Sequence, residues 1–139
     1  QPVMLLAIGD LWLVDESARV FKRADSNLLD FPVLSGVNPT LFETNPNVAH
    51  AIVSEALALY RAVSTDEHLA VSDLSEIHFD DGTGFELVLR SGSEVVVGFT
   101  EPLAALDRLN RMREQGLDLN SPQRVDLDVG SVAIATPLQ

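Results

Sequence analysis

The sequence contains no cysteine. A disulfide framework and a thiolate metal site are therefore both excluded, and the fold has to be stabilised by packing. Basic residues are also scarce, with 9 Lys and Arg against 21 Asp and Glu and a formal net charge of -12. This balance argues against binding to nucleic acid or to an anionic membrane surface, because both require neutralising cations.

Long apolar segments are missing as well. No stretch approaches the ~20 apolar residues that a membrane-spanning helix needs, and no basic segment precedes a short apolar one as in a signal peptide. The chain begins Gln1-Pro2-Val3, without an initiator Met, and a strand-like run follows at once. We therefore expect this chain to be cut from a longer protein.

Motifs of catalysis and cofactor binding are absent too. The histidines, His50, His68 and His78, have no partner at a metal-ligand spacing. The acidic pairs Asp15-Glu16 and Asp80-Asp81 fall at expected turns, where carboxylates bond to the local backbone and remain solvated. No P-loop, Gly-x-Ser-x-Gly or calcium-loop pattern occurs. We predict no catalytic residue, no metal site and no cofactor.

The sequence does contain the apolar patterning of a single domain, with 139 residues of which 46% are hydrophobic. Residues 3–8 predict a buried strand, residues 11–14 and 19–21 predict a hairpin, and residues 22–44 predict an ordered loop. Asn45 and Pro46 indicate a helix start. One face of that helix is apolar, with Ile52, Ala56, Leu59 and Val63 at helical spacing.

From Leu74 onward the apolar period is two, which predicts an antiparallel meander of three strands that ends at Phe99. Thr100 is the expected cap of a second helix, whose apolar stripe is Leu103, Leu106, Leu109 and Met112. A closing hairpin follows, in which Val125, Leu127 and Val129 alternate with aspartates. We predict an α+β fold with a mixed, largely antiparallel sheet flanked by two helices.

The last strand, residues 131–136, has neither Lys nor Pro, the residues that usually protect a sheet edge from pairing. Its small residues Ser131, Ala133 and Ala135 would let another backbone approach, as strand addition requires. The residues alone leave two interpretations open. The strand is an internal or merely terminal one, or it accepts a strand from a partner.

Four separated patches stand out in the sequence: Trp12 to Glu16 with Val20-Phe21, Phe31 to Gly36, Gly84 to Gly98, and Val125-Asp126-Leu127 with the alternating strand behind it. In their order and spacing, these patches resemble the extracytoplasmic β domain of the FtsQ/DivIB cell-division proteins. The resemblance covers nearly the whole chain. Ala18 is a departure, because members usually have glycine there, at a turn that favours a positive φ.

The resemblance implies that residues 1–139 form this β domain. Residues 1–8 would be the last strand of a preceding POTRA domain, or the junction with it. Most of that domain, a single transmembrane helix and a cytoplasmic tail would lie outside the chain. The protein would then face the periplasm from the bacterial inner membrane, and only its transmembrane helix would contact the membrane.

The resemblance also implies a function, that of a non-enzymatic scaffold of the divisome. Such domains receive a strand from an FtsB-like partner, which brings an FtsL-like protein, and so regulate septal wall synthesis. The partner-binding residues carried over are Leu127, Asp128, Val129, Ser131, Val132, Ala133, Ile134 and Ala135.

Positions 128 and 129 depart from the family, because members usually have Arg and an aromatic residue there. Those two contacts are not carried over. We expect the isolated domain to be a monomer, since its charge repels other copies. The alternative function is an extracytoplasmic domain that binds or transforms a small ligand in a pocket between sheet and helices.

Overall fold

The computed structural model describes residues 2–25, 31–129 and 132–138, and these form one nine-stranded sheet with helices packed on it. The strands are β1 (Pro2–Ile8), β2 (Asp10–Asp15), β3 (Val20–Arg23), β4 (Val33–Ser35), β5 (Leu74–Asp80), β6 (Gly84–Leu89), β7 (Glu94–Gly98), β8 (Gln123–Val129) and β9 (Val132–Pro137). The helices are α1 (Leu41–Thr44), α2 (Pro46–Ser64) and α3 (Pro102–Glu114), with a 3-10 turn at Val71–Asp73.

The strand order in the sheet is β3-β2-β1-β4-β5-β6-β7-β8-β9. β4 is parallel to both β1 and β5, and β8 is parallel to β7. The other pairings are antiparallel. The predicted α+β fold with a mixed, largely antiparallel sheet is thus confirmed. β1 is an inner strand of this sheet, and a junction between it and a preceding domain stays a prediction.

The turn between β2 and β3 contains a residue in the left-handed conformation, although that residue is alanine. Ala18 has φ 64 and is buried. Asp15 holds the turn, because its carboxylate accepts from the backbone N–H of Ser17 at 2.8 Å and of Arg19 at 3.0 Å. The N–H of Arg19, followed by that of Ser17, lowers the pKa of Asp15, so the carboxylate remains ionised.

The prediction of a loop over residues 22–44 is wrong in three places, because β3 extends to Arg23, β4 lies near the centre and α1 occupies Leu41–Thr44. Val33 and Leu34 pair with Leu5 and Leu6 of β1, and Leu34 also pairs with Ile77 of β5. Such a strand is three residues long and buried between two parallel neighbours, so it shows no alternation in the sequence. Leu34 is fully buried.

The core lies between one face of the sheet and the helices. The buried face of α2 contains the predicted stripe of Ile52, Ala56, Leu59 and Val63. Facing residues of the sheet alternate along their strands as predicted. The strand residues in this core include Met4, Leu6, Leu34, Ile77, Phe79, Phe85, Leu87, Leu89, Val95, Val97, Val125 and Leu127.

The connection from β7 to α3 differs from the prediction in three ways. Glu101 caps α3 in place of Thr100, because its carboxylate accepts from the N–H groups of Leu103 and Ala104 at 3.2 and 3.0 Å. β7 ends at Gly98, so Phe99 is not a strand residue. Phe99 and Leu103 are exposed, whereas Leu106 and Leu109 are buried as predicted.

Within the three described ranges, the structure has no helix that combines the length and the apolar character needed to span a bilayer.

Candidate docking edge

The closing hairpin places β9 at the end of the described sheet. β8 and β9 pair antiparallel, with Val125 opposite Ala135 and Asp126 opposite Ile134. Of the predicted partner-binding residues, three belong to β8 and four to β9, and Ser131 lies outside the described residues. Those in β8 are Leu127, Asp128 and Val129, and those in β9 are Val132, Ala133, Ile134 and Ala135.

The direction of the free backbone groups of β9 follows from its register. The N–H of Leu138 donates to the carbonyl of Pro122 at 3.0 Å. Because hydrogen-bonded pairs recur at every second residue of an antiparallel ladder, Thr136 and Ile134 turn their N–H and C=O groups toward β8. Ala135 and Ala133 therefore turn theirs away from β8, toward the free edge.

The composition of β9 leaves this edge unprotected. The six residues of β9 include no charged residue, and Pro137 at its end is the one residue without an N–H to donate. Ala135 is exposed. A row of outward N–H and C=O groups beside small residues is the arrangement that an added strand can pair with.

Two of the predicted β8 residues lie behind this edge. Leu127 is fully buried in the core, and its carbonyl accepts from Arg108 Nη1 of α3 at 2.7 Å. Asp128 is exposed, and its carboxylate accepts from the Thr100 hydroxyl at 3.1 Å. Leu127 therefore anchors the hairpin to α3, and its contact with a partner stays a prediction.

A bulge in β8 positions Asp128. The pairing with β9 shifts by one residue between Asp126 and Val129, and the Asp126 carboxylate accepts from the N–H of Asp128 at 2.9 Å. The Asp128 carboxylate then lies over Gly98, where a Cβ atom would overlap it. The contact of Thr100 with Asp128 and the close approach at Gly98 do not follow from the sequence, in which a glycine at the end of a strand is the only signal.

Ion pairs on the uncovered face attach β8 to the meander. Arg124 of β8 donates to Glu86 of β6 at 2.9 Å and to Glu94 of β7 at 2.8 Å. The hydrogen bond with Glu94, together with the charge of Glu86, raises the pKa of Arg124. The guanidinium is half exposed, so these pairs fix the register more than they stabilise the fold.

The start of β8 is fixed by Ser93, a fully buried polar residue at the beginning of β7. Its hydroxyl donates to the carbonyl of Leu119 at 2.9 Å and accepts from the N–H of Gln123 at 3.1 Å. The Leu119 carbonyl also accepts from the Ser91 hydroxyl at 2.7 Å, whereas the N–H of Gln123 donates to Ser93. Ser93 thereby joins the loop after α3 to the start of β8, the strand next to the docking edge.

A second polar cluster lies around Ser35. The Ser35 hydroxyl bonds to Glu76 and lies 2.9 Å from His78 Nδ1, on the uncovered face of the sheet. Ser35 and Glu76 both approach Nδ1 of His78. In a serine–histidine–acid triad, the serine and the acid contact different nitrogens of the ring. In the described part of the chain, no three His, Asp or Glu side chains converge to hold a metal ion.

An apolar cavity of about 280 Å³ opens between α2 and the connection from β7 to α3. Its polar lining includes Glu55, Thr100 and Glu101. The Glu101 carboxylate is already bonded to the start of α3, and the Thr100 hydroxyl is bonded to Asp128. Few polar groups are left to orient a small ligand, which is what the alternative function would require.

Comparisons with known proteins agree with this fold. The FtsQ protein of Geotalea daltonii is 29% identical over 131 residues, which cover 92% of this chain and 48% of the relative. That of Anaeromyxobacter sp. strain K is 34% identical over 113 residues, which cover 81% and 38%. The major extracytoplasmic domain of DivIB from Geobacillus stearothermophilus superimposes with a TM-score of 0.52 at 15% identity, over 85% of this chain and 97% of that one.

The chain thus spans less than half the length of these two curated relatives. The solved DivIB domain shares the fold. Residues 5–128 match the family described as "Cell division protein FtsQ/DivIB, C-terminal", a range that runs from within β1 to the bulge in β8. The chain therefore belongs to the FtsQ/DivIB family of cell-division proteins.

Proposed function

We propose that this chain is a non-enzymatic docking domain of the bacterial divisome, which accepts a β-strand from an FtsB-like partner along the free edge of β9. The observation that carries the proposal is the row of outward backbone groups at Ala133 and Ala135, on a terminal strand without charged residues. Family membership supplies the process in which such an edge would be used.

Binding at this edge would depend mainly on main-chain hydrogen bonds. An added strand gains affinity from the backbone ladder and specificity from alternate side chains. The small exposed side chain of Ala135 offers little obstruction, so the incoming strand can lie at the normal spacing of about 4.8 Å. The partner then becomes the tenth strand of the sheet.

Acidic groups near the edge favour a basic partner. Asp126 and Asp128 lie on β8, one strand behind the docking edge, and the whole chain has a net charge of -12. Long-range attraction raises the association rate of a cationic segment and weakens as salt screens it. Asp128 is tied to Thr100, so it contributes to this field more than to a direct ion pair.

In the full-length protein, the domain would lie on the periplasmic face of the inner membrane, attached through a POTRA domain and one transmembrane helix. Docking of the FtsB-like strand would bring an FtsL-like protein into the same complex. The complex would regulate septal wall synthesis by holding these partners at the division site, without chemistry of its own.

The proposal is tested by proline at an outward position. Ala135→Pro removes an N–H that does not pair with β8, so the hairpin should still form, since proline is tolerated on the open side of edge strands. An added strand loses a donor and meets the ring. We expect calorimetry with the C-terminal part of the FtsB-like partner to show affinity at least about tenfold weaker. Ala133→Pro should act in the same way.

Two further variants make the test specific. Ala135→Ser changes the side chain but keeps the N–H, and it should bind within about twofold of wild type. Thr136→Pro removes a donor that faces β8, and it should lower the melting temperature instead. If folded Ala135→Pro binds the partner as wild type does, the docking site lies elsewhere.

A further inference from the structure

The two most exposed large apolar side chains in the described residues lie close together, away from the β9 edge. Phe99 is 61% exposed and Leu103 is 62% exposed. Leu103 is in the first turn of α3, and Phe99 is in the connection just before it. Clustered exposed apolar residues in a domain with this excess of charge commonly mark an interaction surface.

Phe99 borders the apolar cavity of about 280 Å³ described above, and Leu103 borders an adjoining depression that shares Ala58, Glu101 and Pro102 with it. Ala58 and Leu59 of α2 form one wall, and Pro102 at the start of α3 forms part of the other. The depression continues along α2 past Leu103, toward Thr65. We call this surface, from Phe99 to Leu103 and along α2, the Phe99 groove.

We propose that the Phe99 groove is a second docking surface, which binds a basic amphipathic helix of a partner protein. A helix suits the groove better than a strand, because the walls are helix and turn side chains and offer few free backbone groups to an extended chain. Apolar residues spaced by three and four along one helix face would fill it.

The charge of the groove selects a basic occupant. Glu55 and Glu101 line its rim, within a chain of net charge -12. Arg61 lies at the far end, where its guanidinium donates to the carbonyl of Glu16. Lysines or arginines flanking the apolar face of the incoming helix would therefore meet two carboxylates.

Other occupants fit this surface less well. A second copy of the chain would bring the same carboxylates and the same net charge against each other, which disfavours association. An anionic lipid surface would be repelled for the same reason. The occupant we infer is a separate protein segment with the opposite charge.

The experiment uses three synthetic peptides of about four helical turns, a length at which an apolar face can form. The first has leucines at i, i+3, i+4 and i+7, with lysines on the other face. The second has the same composition in scrambled order, and the third has glutamates in place of the lysines. Binding to the chain is measured by fluorescence anisotropy at physiological and at high salt.

We expect only the first peptide to bind wild type measurably. Phe99→Ser and Leu103→Ser should each weaken its binding at least about tenfold, whereas Phe21→Ser on β3, 49% exposed, should leave it unchanged. Backbone amide shifts on peptide addition should be confined to the start of α3 and the facing turns of α2.

Equal binding of the first and the scrambled peptide, or equal binding to all variants, would overturn the proposal, because net charge alone would then explain the association. A dimer in sedimentation that Leu103→Ser dissolves would also overturn it, since a second copy would be the occupant. The test is independent of the β9 edge, because Ala135→Pro should bind the first peptide normally.

Discussion

Replacing Gly84 by alanine should destabilise the domain far more than the same change at Gly9. The two glycines have nearly equal φ, +87 at Gly84 and +84 at Gly9, both in the left-handed region. They differ in the space around them. A Cβ atom at Gly84 would overlap the carbonyl group of Gly98 and lie 2.9 Å from its Cα, whereas one at Gly9 has nothing within 4 Å.

The magnitude follows from these two contributions. An L-residue in the left-handed conformation costs about 1–2 kcal/mol, and both variants incur this cost. Both also gain about 0.4–1 kcal/mol, because alanine restricts the unfolded chain. Only Gly84→Ala adds overpacking against a paired strand, at about 1–3 kcal/mol. With roughly 4 °C per kcal/mol in a domain of this size, Gly84→Ala should melt about 4–12 °C below Gly9→Ala.

The assay is thermal unfolding followed by circular dichroism, with urea unfolding to obtain free energies. The close approach of Gly84 to Gly98 brings the ends of β6 and β7 together, beneath the carboxylate of Asp128. Gly84→Ala should therefore also weaken partner docking at the β9 edge, even where the protein is folded. Equal melting temperatures for the two alanine variants would refute the contact between these glycines and the reasoning built on it.

Two more predictions concern stability. The N–H of Gly82, followed by that of Thr83, lowers the pKa of Asp80 below 3.8, so its contribution to stability is present above that pH and lost as pH falls through the folded pKa. The melting temperature of Asp80→Asn should lie below wild type at pH 7 and converge with it as the pH is lowered below 3.8; a constant gap would contradict this. Ser93→Ala should cost about 1–3 kcal/mol in urea unfolding, more than Ser91→Ala, because the Ser93 hydroxyl is fully buried. Equal costs would contradict it.

The sequence correctly predicted the strands and helices that bury one face and leave the other face in solvent. Ile77 and Phe79 alternate with solvated residues, and the stripe of α2 repeats at helical spacing, so local pattern and tertiary burial agree. β4 could not be predicted in this way. Leu34 becomes a strand residue only because β1 and β5, distant in sequence, pair with it from both sides.

The surface between α2 and α3 was mispredicted for a related reason. Phe99 and Leu103 continue the apolar pattern of the meander and of α3, so the sequence places both in the core. Gly98, at φ +69, turns the chain out of the sheet immediately before Phe99. Glu101 then starts the helix one residue after the expected cap, with Pro102 as its first residue. The turn depends on the tertiary environment of Gly98, and the spacing of apolar residues along the sequence carries no information about it.

The sequence predicted the hairpin that forms the candidate docking edge, but not which of its backbone groups face outward. Which N–H groups of β9 face outward depends on the register with β8 and on the bulge after Asp126. Leu127 was expected at the interface because it matches the family's Val-Asp-Leu motif; it is fully buried, and its carbonyl accepts from Arg108. This role depends on the contact with α3, and the sequence of the hairpin alone gives no sign of that contact.

The two edge strands of the described sheet, β3 and β9, differ in ways that would restrict strand addition to β9. β3 is four residues long, contains Lys22 and Arg23, and meets β2 with an irregular register, all features that discourage pairing with another chain. Arg23 is held there by an ion pair with Asp10 at 2.8 Å. β9 is six residues long and has no charge. An edge so open would invite self-association, and the net charge of -12 opposes that while still attracting a basic strand. In the proposed docking, the charge and the open edge would therefore act together to select the partner.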